Sequence, residues 1–320
     1  MIISASRRTD IPSHYSAWFF NRLKEGHVFV RNPMNTHQVS KIKLSPDVVD
    51  CIVFWTKNPK PMLDKLTLLK DYRYYFQFTL TSYGKDVEEN VPLKSDEVID
   101  TFQKLSCAIG RERVIWRYDP IFFNEKYSAD YHLRYFEKLA RRLRDYTEKC
   151  TISFIDDYPR IRRSMASLNI QAMSSPQKLQ IAGSMAKIAD ENGLQIDTCS
   201  EAIDLSKFGI THAKCIDDAL IERIIGCPII AEKDKNQRLE CGCAASIDIG
   251  AYDTCQNGCR YCYANHSRKA AGNNPSKYHA FSPLLCSSLG EGDRIFERPV
   301  KSIKDSQLHF FKGGSGKALK

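Results

Sequence analysis

The segment CGCAASIDIGAYDTCQNGCRYCYAN, residues 241–265, decides how the rest of the chain is interpreted. Its apolar run at residues 245–249 predicts a buried strand, and three cysteines follow at the spacing C-x3-C-x2-C: Cys255, Cys259 and Cys262. Thiolates are soft ligands that select iron–sulfur clusters or zinc. Three thiolates leave one position of a four-ligand site open to a substrate or cofactor. The sequence therefore predicts a metal centre directly after a strand.

Apolar runs alternate with helix-like segments along residues 1–265. Strands are predicted at residues 2–6, 51–56, 74–80, 114–116, 151–155, 194–198 and 245–249. Because such alternation favours a parallel sheet with helical crossovers, we predict an α/β fold: a complete or partial (β/α) barrel of about seven parallel strands. The segments 28–30 and 39–44 flank an Asn-Pro turn and are expected to form a hairpin. Residues 266–320 are expected to form a C-terminal extension that packs on the barrel.

Polar residues follow most of the predicted strands. Lys57 follows residues 51–56, Arg117 and Asp119 follow residues 114–116, and Glu201 follows residues 194–198. The carboxyl ends of barrel strands hold the active site in proteins of this architecture. These four residues are therefore candidate catalytic residues that grip a substrate or cofactor. The alternative is that they bond to one another across the barrel mouth.

The amino-acid composition limits which classes of protein this chain can belong to. The chain has 320 residues, of which 42% are hydrophobic, and no apolar run approaches the length of a membrane span. Its first residues lack the apolar core of a signal peptide, so we expect a cytoplasmic protein with no membrane partner, in which clustered cysteines bind metal. The net charge of +9 indicates either an ordinary basic surface or attraction to a polyanion or phosphorylated substrate.

The spacing C-x3-C-x-aromatic-C resembles the cluster motif of the radical S-adenosylmethionine (SAM) superfamily. In that superfamily three cysteines hold a [4Fe–4S] cluster, and SAM chelates the fourth iron through its amino and carboxylate groups. The resemblance implies that Cys255, Cys259 and Cys262 hold such a cluster and that Tyr261 lies near the adenine of SAM. The chain also resembles the family DUF1848, a domain of unknown function, through ISASRRTDIP, IVFWTKNP, YYFQFTLTSYG, VIWRYDPI and the segment quoted above.

The superfamily resemblance implies an enzyme. A reduced cluster would divide bound SAM into methionine and a 5′-deoxyadenosyl radical, with flavodoxin or ferredoxin as the kind of electron donor required. The TKNP and RYDPI segments also resemble the spore photoproduct lyase branch, which repairs DNA, so nucleic acid or a nucleotide is a candidate substrate. The alternative is a non-catalytic nucleic-acid-binding protein stabilised by zinc or a cluster.

The cluster loop comes late in this chain, whereas most radical-SAM proteins carry it after the first strand. We predict that residues 2–6 and 245–249 form neighbouring strands, as in a circularly permuted barrel. Arg7, Arg8 and Asp10 would then stand beside the loop. An arginine could bind the SAM carboxylate, and Asp10 could bind its amino group or a ribose hydroxyl. The alternative is that they form an ion pair that fixes the first loop.

Four more cysteines lie upstream of the loop. Cys241 and Cys243 form a C-x-C pair, and Cys199 and Cys215 follow the predicted strand at residues 194–198. Together they could form a four-thiolate site, which would hold a second iron–sulfur cluster or zinc. The alternative is that they are buried cysteines without a ligand.

Overall fold

The computed structural model describes residues 1–156 and 162–305. The strands are β1 (Ile2–Ala5), β2 (His27–Asn32), β3 (Asn35–Lys43), β4 (Cys51–Thr56), β5 (Tyr74–Thr79), β6 (Val114–Ile121), β7 (Lys149–Phe154), β8 (Gln195–Thr198), β9 (Thr211–His212), β10 (Ile247–Asp248) and β11 (Arg294–Glu297). The helices are α1 (Ile11–His14), α2 (Ser16–Glu25), α3 (Lys60–Leu63), α4 (Ile99–Ile109), α5 (Ala129–Leu143), α6 (Arg162–Met165), α7 (Ser175–Glu191), α8 (Asp218–Ile225) and α9 (Arg268–Asn273). Among these described helices, none is long and apolar enough to cross a membrane.

The main sheet has eight strands in the order β10-β1-β4-β5-β6-β7-β8-β9, and every neighbouring pair is parallel. The predicted α/β fold with a large parallel sheet is therefore confirmed. The strand beyond the seven predicted is β9, whose two residues are too few to give a periodic apolar signal. Because β9 and β10 stand at opposite edges of the described sheet, the architecture is consistent with a partial barrel.

The first and last strands of this sheet are neighbours, as the sequence predicts. Ile3 stands opposite Ile247, and Ser4 stands opposite Asp248. The Asp248 carboxylate accepts hydrogen bonds from Ser4 Oγ at 2.9 Å, Ser6 Oγ at 2.6 Å and the backbone N of Arg7 at 2.8 Å. Any Cβ at residue 250 would overlap the Ser6 side chain, so glycine is required there. The chain leaving β10 is thus held against the turn that follows β1.

Alternating side chains divide the core into two layers. One face of the sheet packs on the helices through residues such as Phe54 and Phe76, whose stacked rings are 4.6 Å apart. The other face, which includes Val53 and Tyr75, packs against Leu220 and neighbouring apolar residues of α8. Fully burying one such side chain contributes roughly 1.5–3 kcal/mol. Helix α8 therefore packs on the face of the sheet opposite to the one that carries Phe54 and Phe76.

Strand β6 is longer than the prediction of residues 114–116. It continues through Arg117 and Asp119 to Ile121, so both charged residues lie within the strand and not after it. The predicted end of this strand at residue 116 is therefore wrong. Charged residues and proline have low strand propensity, so the sequence gave no sign that the strand continues. Pairing with β5 and β7 nevertheless extends it. By contrast, β4 has the predicted bounds, and Lys57 directly follows it.

A second, smaller sheet lies beside the first. The predicted hairpin is confirmed as β2 and β3, which pair antiparallel, and β11 adds to β3 in parallel. Trp18 Nε1 of α2 donates a hydrogen bond of 2.8 Å to Ser282 O, and Phe29 N donates one of 3.0 Å to Pro283 O. The described part of the C-terminal segment thus packs on α2 and the hairpin. Residues 306–320 of the predicted extension lie outside the described residues.

Candidate metal centre

The cysteine loop is anchored by Asp10. Asp10 Oδ1 caps α1 by accepting a hydrogen bond of 3.0 Å from Ser13 N. Its Oδ2 accepts one of 2.9 Å from Asn257 Nδ2 in the loop and one of 2.8 Å from the backbone N of Lys57. Asp10 therefore lies beside the loop, as predicted. Its described contacts hold the turn after β1, the end of β4 and the loop together.

The middle of the loop pairs with the segment that follows β5. Asn90 N donates a hydrogen bond of 3.1 Å to Asn257 O, and Arg260 N donates one of 2.9 Å to Val87 O. Gly258 has a φ of +67°, which favours glycine, and a Cβ there would lie 3.1 Å from Glu89 Cβ. The tight backbone at Gly258 therefore positions Cys259 against residues 87–90.

The three loop thiols lie within eight residues of one folded loop, in which Cys262 N donates a hydrogen bond of 3.2 Å to Cys259 O. Cys255, Cys259 and Cys262 are each partly exposed. Burial raises the pKa of all three thiols, and the charge of Cys262 contributes to raising the pKa of Cys255 to about 12. Lys57 opposes this effect, because its charge acts to lower the pKa of Cys259 and Cys262. The donor set is thus three interacting thiols with one ammonium group beside them.

A buried charge cluster forms the wall behind Cys259. Glu88 is 1% exposed, and its Oε1 accepts hydrogen bonds from Lys57 Nζ at 2.8 Å and from the Tyr261 hydroxyl. Lys94 pairs with the other carboxylate oxygen, and Lys57 Nζ also donates a bond of 2.8 Å to the Tyr261 hydroxyl. Burial alone would raise the pKa of Glu88, but the two lysines hold it well below its usual range.

This cluster carries an excess of positive charge. Burial acts to lower the pKa of Lys57, yet the charges of Glu88, Cys259 and Asp119 and the hydrogen bond to Glu88 together outweigh burial and raise the pKa, so Lys57 stays protonated. Burial lowers the pKa of Lys94 despite the same carboxylate. The effect of Lys57, which lowers the pKa of Cys259, exceeds the opposing effect of Glu88, so the wall favours negative charge on Cys259.

Unpaired donors stand on the same rim. The Trp55 ring lies between two guanidinium groups, 5.5 Å from that of Arg7 and 5.4 Å from that of Arg117. Within the described part of the chain, the buried Nε and Nη2 of Arg7 and Nε1 of Trp55 have no hydrogen-bond partner. Buried donors are normally paired, so these atoms fit a bound ligand with acceptor oxygens, such as a carboxylate.

The other predicted site residues have partners of their own. Arg117 binds Asp119 through two hydrogen bonds, of 3.0 Å and 2.6 Å, which matches the alternative that these residues bond to one another. Glu201 accepts a hydrogen bond of 2.7 Å from Phe154 N, and burial raises its pKa. Arg8 stacks on Tyr252 at 5.0 Å. Of the candidate catalytic residues, Lys57 is therefore the one placed in contact with the cysteine loop.

The structure also brings the four upstream cysteines together. The sulfurs of Cys199 and Cys215 are 3.2 Å apart. Cys243 Sγ accepts hydrogen bonds from the backbone N atoms of Cys215 and Ile216 at 3.2 Å and 3.4 Å, and Cys241 is buried in the same cluster as Cys215 and Cys243. These residues form a second cysteine group, which we call the upstream cysteine group.

Within residues 1–156 and 162–305, no three His, Cys, Asp or Glu side chains are already arranged around a point that would hold a metal ion. A single zinc ion needs its sulfurs about 2.3 Å from one centre, whereas a [4Fe–4S] cluster takes each thiolate on a different iron and needs wider spacing. Metal occupancy of both cysteine groups stays a prediction.

Comparison with known proteins identifies the family to which this chain belongs. The family model described as "Domain of unknown function (DUF1848)" matches residues 2–264. The chain belongs to the DUF1848 family. No curated protein matches this DUF1848 chain. Among solved structures it is similar to dihydropyrimidinase from Brevibacillus agri NCHU1002, at 11% identity and a TM-score of 0.27, over 50% of this chain and 35% of that chain.

Sequence reasoning missed two residues at the site of this DUF1848 chain, Glu88 and Lys94. Both lie in the connection between β5 and α4, which has no chemical motif. Glu88 and Glu89 are identical neighbours, yet the first is buried and the second is exposed. Composition cannot separate the two glutamates, because only the fold determines which of them meets Lys57.

A cavity of about 900 Å³ lies away from this site. Its lining includes Lys149 and Gln195, which are the first residues of β7 and β8. Because the lining also includes Thr211 and His212 of β9, the cavity lies along the β9 edge of the sheet.

Proposed function

We propose that this DUF1848 protein is an enzyme that binds a [4Fe–4S] cluster through Cys255, Cys259 and Cys262 and cleaves SAM reductively. The observation that carries the proposal is the folded, partly buried loop that holds these three cysteines: Cys262 N donates a hydrogen bond of 3.2 Å to Cys259 O, and Asp10 joins the loop to the end of β4. The loop lies at the carboxyl ends of parallel strands, where α/β enzymes assemble their sites. The radical-SAM-like spacing of the cysteines and the position of the loop at the strand ends both favour cluster-dependent cleavage of SAM.

The surrounding charges support thiolate ligands. Metal binding requires loss of three thiol protons, which burial opposes. Lys57 and Lys94 exceed Glu88 by one positive charge and offset part of this cost next to Cys259. Arginine or lysine beside a cysteine has the same effect in reactive cysteine sites generally.

The remaining groups of the rim would bind SAM. When bound, the cluster supplies one electron that divides SAM into methionine and a 5′-deoxyadenosyl radical, which takes a hydrogen atom from the substrate. Arg7 Nε and Nη2 would donate to the SAM carboxylate, because they are buried donors without a described partner. Tyr261 would contact the adenine, with its ring held in place by hydrogen bonds from its hydroxyl to Glu88 and from Lys57.

The test is anaerobic purification followed by iron and sulfide counts and an assay for 5′-deoxyadenosine with dithionite and SAM. We expect a brown protein that forms 5′-deoxyadenosine, and loss of both properties in Cys259→Ser. Cys107→Ser is the matched control, because Cys107 is exposed in α4 and far from the loop in sequence. A cluster-loaded protein that leaves SAM intact would contradict the proposal. A colourless protein with zinc at the loop would favour the non-catalytic alternative.

A further inference from the structure

The upstream cysteine group is drawn from three parts of the chain. Cys199 follows β8, Cys215 follows β9, and Cys241 and Cys243 precede β10. The sulfurs of Cys199 and Cys215 are 3.2 Å apart, Cys215 N donates a hydrogen bond of 3.2 Å to Cys243 Sγ, and Cys241 is buried in the same cluster as Cys215 and Cys243. Four cysteines that converge from separated segments have the composition of a closed four-thiolate site.

The sulfurs also receive hydrogen bonds from nitrogen donors. Arg117 Nη1 donates to Cys215 Sγ at 2.9 Å. The backbone N atoms of Cys215 and Ile216 donate to Cys243 Sγ at 3.2 Å and 3.4 Å. Because a neutral thiol is a weak acceptor and a thiolate a strong one, these donors fit sulfurs that carry negative charge. Such outer partners commonly orient the ligands of a metal.

The charges around the group match a negative centre. One Zn²⁺ with four thiolates carries a net charge of −2, which is costly to bury without cations nearby. The Arg117 guanidinium donates a hydrogen bond to Cys215 Sγ, and the Trp55 ring lies between it and the guanidinium of Arg7, at 5.4 Å and 5.5 Å. Arg117 therefore supplies a cation in direct contact with the group, and Arg7 supplies a second cation across the Trp55 ring.

The group occupies the place where the two edges of the sheet approach each other. In the described residues, β9 and β10 are the edge strands. Ala213 N, just after β9, donates to Thr198 O at 2.7 Å, and Ala244 N, just before β10, donates to Ile216 O at 3.0 Å. A metal ion bound here would link chain from both edges and restrict their separation.

We propose that Cys199, Cys215, Cys241 and Cys243 bind one Zn²⁺ ion in a tetrahedral site that joins the two edges of the sheet. A single ion fits better than a second cluster, because zinc–sulfur bonds of about 2.3 Å place tetrahedral ligands about 3.8 Å apart, close to the 3.2 Å between the sulfurs of Cys199 and Cys215. The four sulfurs are not arranged around one centre in the described residues, so binding requires movement of these side chains. Binding replaces four thiol protons by one Zn²⁺ and releases the protons to solvent.

The inference does not depend on the proposed function, because the loop cysteines are not among its ligands. The test is the zinc, iron and sulfide content of the full chain purified anaerobically, compared among the native protein, Cys259→Ser, Cys243→Ser and Cys107→Ser. We expect one zinc per chain in the native protein, Cys259→Ser and Cys107→Ser, and loss of that zinc in Cys243→Ser. The iron content should fall in Cys259→Ser alone. Loss of the cluster site and loss of the zinc site can therefore be distinguished.

A second measurement guards against misfolding of Cys243→Ser. Folded Cys259→Ser is stripped with a chelator and titrated with Co²⁺, and we expect one equivalent to give the intense absorption of four-thiolate cobalt. Absence of zinc and cobalt binding by this folded variant would overturn the proposal. Loss of iron and sulfide, in place of zinc, from Cys243→Ser would overturn it in favour of a second cluster. A disulfide between Cys199 and Cys215 in the native protein would also overturn it.

Discussion

Lys57 Nζ lies 2.8 Å from Glu88 Oε1, and this ion pair holds the hydroxyl of Tyr261 in the cysteine loop. The Lys57 side chain is 11% exposed and that of Glu88 is 1% exposed, so water screens the pair very little. Lys57 follows β4 and Glu88 follows β5, which are neighbours in the sheet. The position of Tyr261 therefore depends on a charge cluster assembled from two adjacent strand ends.

Replacing Glu88 should destabilise the protein. Glu88→Gln leaves Lys57 and Lys94 buried without a countercharge, and breaking a buried pair in this way costs about 3–5 kcal/mol. Urea denaturation followed by circular dichroism measures the change in free energy of unfolding. Glu89→Gln is the matched control, because its exposed side chain should change that free energy by less than about 0.5 kcal/mol. Equal effects of the two substitutions would contradict the prediction.

The loop backbone should not tolerate a side chain at residue 258. Gly258→Ala places a Cβ 3.1 Å from Glu89 Cβ at a φ of +67°, which should cost about 1–2 kcal/mol and lower the iron retained after gel filtration. Gly272→Ala is the control, since a Cβ at this helical position meets nothing within 4 Å. That control should keep its iron and be unchanged or slightly more stable. Full iron retention by Gly258→Ala would show that the loop relaxes freely.

Arg7 and Arg8 should differ in their effect on SAM. Arg7→Gln removes buried donors without a described partner, so half-saturation should need about 10- to 100-fold more SAM while the iron content stays unchanged. Arg8→Gln should leave SAM binding nearly unchanged, because Arg8 stacks on Tyr252. Equilibrium dialysis with labelled SAM measures the affinity of each variant for SAM. An unchanged affinity in Arg7→Gln would remove Arg7 from the SAM site.

Stability should fall in mild acid because of His132. Burial lowers the pKa of His132 to about 4 from a usual value of 6.5. Between these values the unfolded chain binds a proton that the folded protein excludes, so the free energy of unfolding falls as the pH drops from 6.5 towards 4, by up to about 3 kcal/mol. Urea denaturation across this range measures the slope.

The control for this pH dependence is His132→Gln. Glutamine retains a donor for Phe122 O, which His132 Nε2 contacts at 2.9 Å, but it does not titrate. The slope between pH 6.5 and 4 should therefore be smaller than in the native protein, with any remainder due to carboxylates. Identical slopes in the two proteins would show that His132 does not cause the effect.

Long apolar runs gave the most reliable predictions of strands. The bounds of β4 follow from six consecutive residues with strong strand propensity, and the hairpin of β2 and β3 follows from two short runs around a turn. β9 and the extension of β6 through Asp119 were missed, because two residues or a charged pair form strand only when a neighbouring strand supplies the hydrogen bonds. The pairing of β1 with β10 was predicted from the late position of the cysteine loop.

The sequence by itself determined the α/β class through residue type and spacing, and the late position of the cysteine loop predicted the adjacency of the first and last strands. The spacing of the cysteines also identifies the candidates for metal binding. Tertiary structure alone decided which glutamate meets Lys57 and which donors lack a partner. It buried Glu88 against Lys57 and left donors of Arg7 and Trp55 without a hydrogen-bond partner among the described residues. The physical reason is that charged side chains are usually exposed to water. A charged side chain becomes buried and paired only when segments distant in sequence pack around it.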